Sequence, residues 1–254
     1  MTKPSVITVS INKGGAGKTT TAVHIAAWLA QQGRRVLLAD LDRQGQCATV
    51  LGVAPAPRIY DLLVRENIPL SDLTIEARPN LRLLASNPET VIAQDFARLR
   101  GDRADLLERR VVVAAAGYDY IVFDTPPQGL LQECAVYSAD VIVLPVPVDY
   151  LGMDGAVQFG HFIDQMRSRE KLPTVRVLAI PMFVDMRTNE SRANLAELEK
   201  QFGDRLLPSV PVRTRMREAI AEGKTIFEYA PREDIVDTYA RIVSRIEEDV
   251  RASK

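Results

Sequence analysis

Two lysines, Lys13 and Lys18, bracket the glycine-rich stretch Gly14-Gly15-Ala16-Gly17, and two threonines, Thr19 and Thr20, follow at once. Glycines let a backbone turn tightly and bring its N–H groups against an anion. A lysine and a hydroxyl directly after them add a positive charge and a ligand for a hard cation. This is phosphate chemistry. The stretch closes as G-K-T-T, the end of the nucleotide-binding pattern G-x-x-x-x-G-K-[ST], although Asn12 or Lys13 stands where the pattern opens on glycine. Lys18 is expected to reach β- and γ-phosphates and Thr19 to ligate Mg²⁺. Three carboxylates extend the set: Asp40 and Asp42 in "ADLD", and Asp124 at the end of "YIVFD". Asp124 stands where a strand-end carboxylate holds magnesium, usually through water. Asp40 and Asp42, at the end of the second strand, are expected to project to different faces and so to hold different jobs. The plainer alternatives are a glycine-rich corner with no ligand, a solvated lysine at Lys13 and a strand-end cap at Asp124.

Such a loop needs a strand before it and a helix after it. The apolar run from Val6 to Ile11 predicts the strand; Ala22, Val23, Ala26, Ala27 and Ala30, recurring at three- and four-residue spacing, predict a helix beginning near Lys18. Further strands are predicted at 36–40, 81–85, 120–124, 141–146, 175–181 and 206–210, alternating with helical patterns. Most are short apolar runs without alternation, as strands buried on both faces should be, and they favour parallel pairing with right-handed crossovers. An α/β fold follows: a doubly wound, mainly parallel sheet flanked by helices. Its ligand belongs at the C-terminal ends of the strands, where the loop, Asp40, Asp42 and Asp124 all fall.

With 254 residues, 46% of them hydrophobic, and a net charge of -1, the chain is expected to form one domain over 1–254. A uniformly basic nucleic-acid binder is excluded. Cys47 and Cys134 lie far apart without C-x-x-C spacing, which argues against a zinc site or a disulfide and suits a reducing cytoplasm. No signal peptide is expected, since the chain enters its first strand almost directly, and no apolar run approaches the roughly twenty residues that span a bilayer. "GVAPAPRIY" reads as a connector, and the charged region 95–110 as a solvated helix face.

At this point the sequence resembles a known family. "KGGAGKTT" is similar to the deviant Walker A loop of the ParA/MinD group of P-loop ATPases, and "VLLADLDRQGQCATVLG" to the group's D-x-D-P-Q-G-N motif, with Arg43 in place of the proline. "YDYIVFDTPPQGLL" resembles its Walker B strand, "PVPVDYLGMDGA" the segment after the next strand, and "VPVRTRMREAIAEGKTIFEYAP" its C-terminal nucleotide-side loop and helix. The resemblance, closest to the ParA partition members, runs in order from about residue 5 to residue 231.

That resemblance implies ATP with Mg²⁺, and a homodimer that sandwiches two ATP molecules. Lys13 is then the signature lysine. Starting the loop, it cannot easily fold back onto phosphates already held by Lys18 and the backbone, but it can reach those of a facing subunit, much as an arginine finger does. Asp42 would orient the attacking water, with slow turnover, and Asp40 would support the magnesium or the loop. Pro211 and, by counting, Arg213 would border the adenine, though Arg213 could equally face solvent or DNA. As in several partition members, the ATP dimer would bind double-stranded DNA nonspecifically, with Arg215 the foremost candidate beside Arg217 and Arg245; ordinary solvated helix charges are the alternative. A ParB-like centromere-binding protein or cargo adaptor would stimulate hydrolysis, on the nucleoid in the cytoplasm, moving plasmid, chromosome or a protein cargo.

Three rival classes fare worse. A MinD-like membrane cycle needs a basic amphipathic C-terminal helix. Here Ile235, Val236, Tyr239, Ile242, Val243, Ile246 and Val250 make one apolar stripe, but Glu247, Glu248 and Asp249 beside it suit a helix packed on the sheet, so no membrane partner is expected. An iron-sulfur reductase needs paired cluster cysteines, which Cys47 and Cys134 do not provide. A non-enzymatic binding module is disfavoured by Asp42 and Thr19 together. No added N-terminal helix-turn-helix is expected either.

Overall fold

β1 (Ser5–Val9) runs into the glycine-rich loop and α1 (Lys18–Gln31) leaves it, in a computed structural model that describes residues 3–65 and 68–252. Beyond them come β2 (Val36–Asp40), α2 (Gln46–Val50), α3 (Arg58–Val64), α4 (Leu70–Leu73), β3 (Ile75–Arg78), β4 (Leu81–Leu84) and α5 (Thr90–Leu99). The second half holds β5 (Tyr120–Asp124), α6 (Leu130–Ser138), β6 (Val141–Pro147), α7 (Tyr150–Arg169), β7 (Arg176–Val184), α8 (Asn189–Phe202), β8 (Val210–Pro211), α9 (Thr214–Ala221), α10 (Ile226–Tyr229) and α11 (Asp234–Ala252).

Among the described residues the strands form an eight-stranded sheet in the order β3-β4-β2-β5-β1-β6-β7-β8, antiparallel at β3 against β4 and parallel elsewhere. The expected doubly wound α/β fold is therefore present. β1 lies between β5 and β6, so the chain winds first to one side of it and later to the other. The crevice at this reversal is where such folds bind ligands.

Both faces of the sheet are buried, which is why its strands lack alternation. Val6, Leu37, Ile121 and Phe123 pack into one core with Ile59, Ala93 and Leu131. Ile7, Leu38, Val122 and Val143 enter the opposite one with α1 and α11, and Ile142, Leu144 and Ala179 meet Phe159 and Ile163 of α7. The C-terminal stripe behaves as expected: Ile235, Tyr239, Ile242, Val243, Ile246 and Val250 are at most 2% exposed. Each such side chain contributes about 2 kcal/mol by leaving water.

The strand predicted at 206–210 is corrected. The chain makes a single bridge from Leu206 to Ala179 and resumes as β8 only at Val210. Pro208 lies between, and proline has no N–H for the ladder. β3, antiparallel at the sheet edge, was not predicted, because Ile75-Glu76-Ala77-Arg78 contains no apolar run. The charged region 95–110 is not one helix: α5 ends at Leu99 and a π-helical turn begins at Glu108, whose Arg109 pairs back with Asp105. Among the described residues no helix is long and apolar enough to cross a membrane.

Candidate nucleotide site

The loop after β1 opens onto a cleft of about 390 Å³ lined by Gly14, Gly15, Ala16, Gly17, Lys18, Thr19, Thr20, Asp42 and Phe183. Gly17 is the N-cap of α1 in a left-handed conformation, φ 91°, with no side-chain cap. The first amides of α1 are thus left for a ligand, at the positive end of the helix dipole. A Cβ there would also stand 2.8 Å from Met182 Cε, so the end of that flexible side chain would have to shift. Lys18 is 8% exposed, and its Nζ donates to the carbonyl oxygen of Lys13 at 2.8 Å. Burial lowers its pKa, while Asp124 and Asp42 work in the opposite sense.

Asp40 and Asp124 are register partners at the ends of β2 and β5, and both are fully buried. Burial, then mutual repulsion, pushes Asp40 well above the usual carboxylate range; burial also raises Asp124, against the pull of Thr19, Cys47 and Lys18. Asp124 Oδ1 has no hydrogen-bond partner among the described residues. Two buried carboxylates beside a lysine and a threonine hydroxyl, with one oxygen unmatched, fit a divalent cation. Cys47 joins them unforeseen: its N–H donates to Asp40 Oδ2 at 3.0 Å and its thiol to Asp124 Oδ2 at 3.3 Å. Cys47 and Cys134 are both free and buried.

Asp42 separates from Asp40, but not by strand alternation. Residues two apart on a regular strand share a face. The strand stops at Asp40, whose Oδ1 accepts the Asp42 N–H at 3.0 Å, and the chain turns. Asp42 Oδ1 then accepts from the Gln44 N–H at 3.0 Å, Gly45 N–H donates to Asp42 O at 3.1 Å, and Ser86 Oγ donates to the same carbonyl. The turn closes with Arg43 exposed and lining both the phosphate cleft and the hollow beside it. Asp42 is left facing both the phosphate cleft and a neighbouring hollow of about 360 Å³ beside Thr90, Gln94 and Pro127.

Lys13 does not point away from its own chain. Its Nζ lies 2.7 Å from Asp149 Oδ1, on the N-cap of α7. A smaller pocket of about 100 Å³ extends from Gly17 and Thr20 to Pro211, Arg213, Met216 and Arg217, which brings Pro211 and Arg213 to one wall as counted from the sequence. Arg213 is tied to Asp234 at 2.5 Å. Phe183 lines both this pocket and the phosphate cleft, 41% exposed, at the bulge in β7 with φ 61°. A left-handed aromatic residue is strained, and such strain concentrates at functional sites. Nothing in "PMFVD" signals it, because the bulge arises only where β7 meets β8.

The three arginines expected to face nucleic acid divide between two places, Arg215 and Arg217 on α9 and Arg245 on α11. Arg215 of α9 pairs with Glu218 at 3.2 Å and Glu233 at 3.8 Å. Arg217, two residues further along the same helix, is exposed and makes no ion pair with a described residue. Arg245 of α11 pairs with Glu248 and donates to Asp204 O, beside Arg176 at the start of β7, toward the strand end opposite the nucleotide cleft.

Fold and site define an α/β P-loop nucleotide-binding protein with a deviant phosphate loop. The AAA domain family matches residues 4–177. The chain is 34% identical over 243 residues to the chromosome-partitioning ATPase Soj of Thermus thermophilus, covering 94% of each. It is 30% identical over 246 residues to the sporulation initiation inhibitor protein Soj of Bacillus subtilis, covering 95% of this chain and 97% of the other. The chain belongs to the ParA/Soj family of P-loop ATPases. Cyanothece McdA in its ATP complex shares the fold, with a TM-score of 0.84 at 21% identity over 98% of this chain and 97% of the other. Cobyrinic acid a,c-diamide synthase of Mycobacterium smegmatis, bound to an ATP analogue and magnesium, superposes with a TM-score of 0.74 at 30% identity over 87% and 91%.

Proposed function

We propose that residues 1–254 act as one partition ATPase: ATP with Mg²⁺ closes a homodimer, the dimer binds DNA nonspecifically on the nucleoid, and a partner on the cargo stimulates hydrolysis. The observation that carries this is that Lys18 and Asp42 line one glycine-rich cleft, with the buried pair Asp40 and Asp124 at the adjoining ends of β2 and β5.

The amides of Gly14 to Thr20 and the Lys18 ammonium hold the phosphates. Thr19 and Asp124, with Asp40 behind them, would hold magnesium, which neutralises charge on the phosphates when bound. Asp42 orients water against the terminal phosphate; a carboxylate beside a triphosphate is a poor proton acceptor, so it acts by positioning. Lys13 leaves Asp149 to meet the phosphates of the facing subunit. Pro211 and Arg213 border the base.

DNA binding falls to Arg215 and Arg217 beside the nucleotide, where a dimer doubles the charge presented. The test measures mass by light scattering and retention of unrelated duplexes with ATP, ADP or no nucleotide. An ATP-specific dimer that alone retains DNA is expected. DNA binding indifferent to nucleotide would sink the coupled cycle.

A further inference from the structure

His24 lies in the second turn of α1 and is wholly buried. Its Nδ1 stands 2.7 Å from the carbonyl oxygen of Thr20, and its Nε2 3.0 Å from the backbone nitrogen of Ile226. A carbonyl oxygen only accepts and a peptide N–H only donates, so Nδ1 carries the proton and Nε2 accepts. Geometry alone makes the imidazole neutral, in one tautomer. The ring also stacks on Tyr239 of α11 at 5.0 Å and meets Phe227 of α10 edge-on at 5.3 Å.

One end of this contact belongs to the nucleotide site, since Thr20 lines both the phosphate cleft and the base pocket. The other end is the turn joining α9 to α10, and that turn is fastened from a second side. Gly52 and Gly223, with φ of +66° and +64°, meet backbone to backbone: a Cβ on Gly223 would lie 2.5 Å from Gly52 Cα. Gly52 follows α2, the helix into which the Asp42 turn leads. Arg78 spans the junction, donating to Leu51 O and Gly223 O, each at 3.0 Å, and to Glu228 Oε1 at 2.5 Å. Glu228 in turn closes a capping box with Thr225. The helix that begins at the phosphates and the one that follows Asp42 therefore converge on a single turn, and α9, with Arg215 and Arg217, leads directly into it.

We propose that His24 is a positioning residue that couples nucleotide occupancy at the phosphate loop to the placement of the 222–229 turn, and with it α9, through the Ile226 N–H. The coupling rests on the nucleotide reading above, but not on the DNA reading. Contact alone does not establish coupling, so the test must move one end and observe the other.

Hydrogen exchange would be followed in the full chain with and without a non-hydrolysable ATP analogue and Mg²⁺, in wild type, His24→Phe and His24→Asn. Phenylalanine keeps a ring for stacking and loses both hydrogen bonds; asparagine keeps one donor and one acceptor. The analogue should slow exchange at amides 14–20 in all three proteins. At 222–229 it should slow exchange about tenfold in wild type and His24→Asn, and less than about twofold in His24→Phe. A wild-type response at 222–229 in His24→Phe would overturn the proposal. So would protection at 14–20 in wild type with no change at 222–229. No protection at 14–20 in wild type would instead overturn the nucleotide reading, and the coupling with it. Should His24→Phe not fold, nitrogen NMR of the wild-type imidazole decides the matter: the Nε2 resonance is expected to shift on adding the analogue, and an unmoved resonance overturns the coupling.

Discussion

Lys13 Nζ and Asp149 Oδ1 stand 2.7 Å apart, and the same oxygen accepts the Gly152 N–H that caps α7, also at 2.7 Å. The lysine with the strongest reason to reach another subunit is therefore held in its own chain. Burial pushes the Asp149 carboxyl up, but the Lys13 ammonium and the Gly152 N–H outweigh it and hold the group below its usual range. With 52% of the Asp149 side chain exposed, the pair is worth at most about 1 kcal/mol. Triphosphate oxygens can displace it. Asp149→Asn keeps an oxygen to cap α7 and removes the charge, so the ATP dimer should form at a two- to fivefold lower nucleotide concentration, roughly the equivalent of that 1 kcal/mol. Light scattering over an ATP titration measures this; a weakened dimer would mean that Asp149 also serves the closed state.

Lys18→Ala should abolish ATP binding in calorimetry. The cleft loses its buried cation, and the amides alone face the phosphates. Unchanged affinity would remove the phosphate-loop assignment altogether.

Asp42→Ala should bind ATP and accumulate as a dimer, with hydrolysis reduced by about 10²-fold or more, because the cradle remains while the water loses its orienter. A variant that stays monomeric in ATP would reassign Asp42 to the dimer contact. Its backbone carbonyl, which holds Ser86, is unaffected by the change.

Arg217→Ala and Arg215→Ala should each weaken DNA binding across sequences and lower its salt slope by about one, as the loss of one phosphate contact does. Arg245→Ala is expected to leave DNA binding unchanged and to cost a little stability, because Arg245 lies toward the strand end opposite the nucleotide cleft and holds Glu248 and the Asp204 carbonyl. Equal losses from Arg245 and Arg217 in a salt series would place DNA on the α11 face instead.

His24 makes stability depend on pH. Burial pushes its pKa down to about 4, although the Thr20 carbonyl and, more weakly, Glu228 oppose the shift. In the unfolded chain a histidine titrates near about 6.5. Its contribution is thus fully present above that value. Below it the unfolded state takes up a proton that the folded state refuses, and stability falls by about 1.4 kcal/mol per pH unit until the folded imidazole titrates too. Denaturant unfolding of wild type and His24→Asn at pH 7, 6 and 5 isolates the effect, since Asp40 and Asp124 are common to both. The wild-type advantage should shrink as pH falls; a constant difference would show that the imidazole exchanges protons freely.

The phosphate loop was legible because its chemistry is local. Turn, amides, Lys18 and Thr19 sit within a few residues, and the flanking strand and helix declare themselves by period. Buried parallel strands were legible for the same reason, as short apolar runs at 36–40, 81–85 and 120–124. Where the pattern weakened, the reading failed: β3 has no apolar run, and Pro208 interrupts the ladder that 206–210 suggested.

Only the tertiary structure decided which distant residues meet. Lys13 finds Asp149 because β1 and β6 are neighbours; Asp40 faces Asp124 because β2 pairs with β5; His24 reaches Ile226 because α1, α10 and α11 pack into one core on the same side of the sheet. The same packing moved Arg245 away from Arg217. Periodicity records which face of an element is buried, but not what covers it. The cover is set by strand order and side-chain fit over the whole core, to which every residue contributes and which no single stretch encodes.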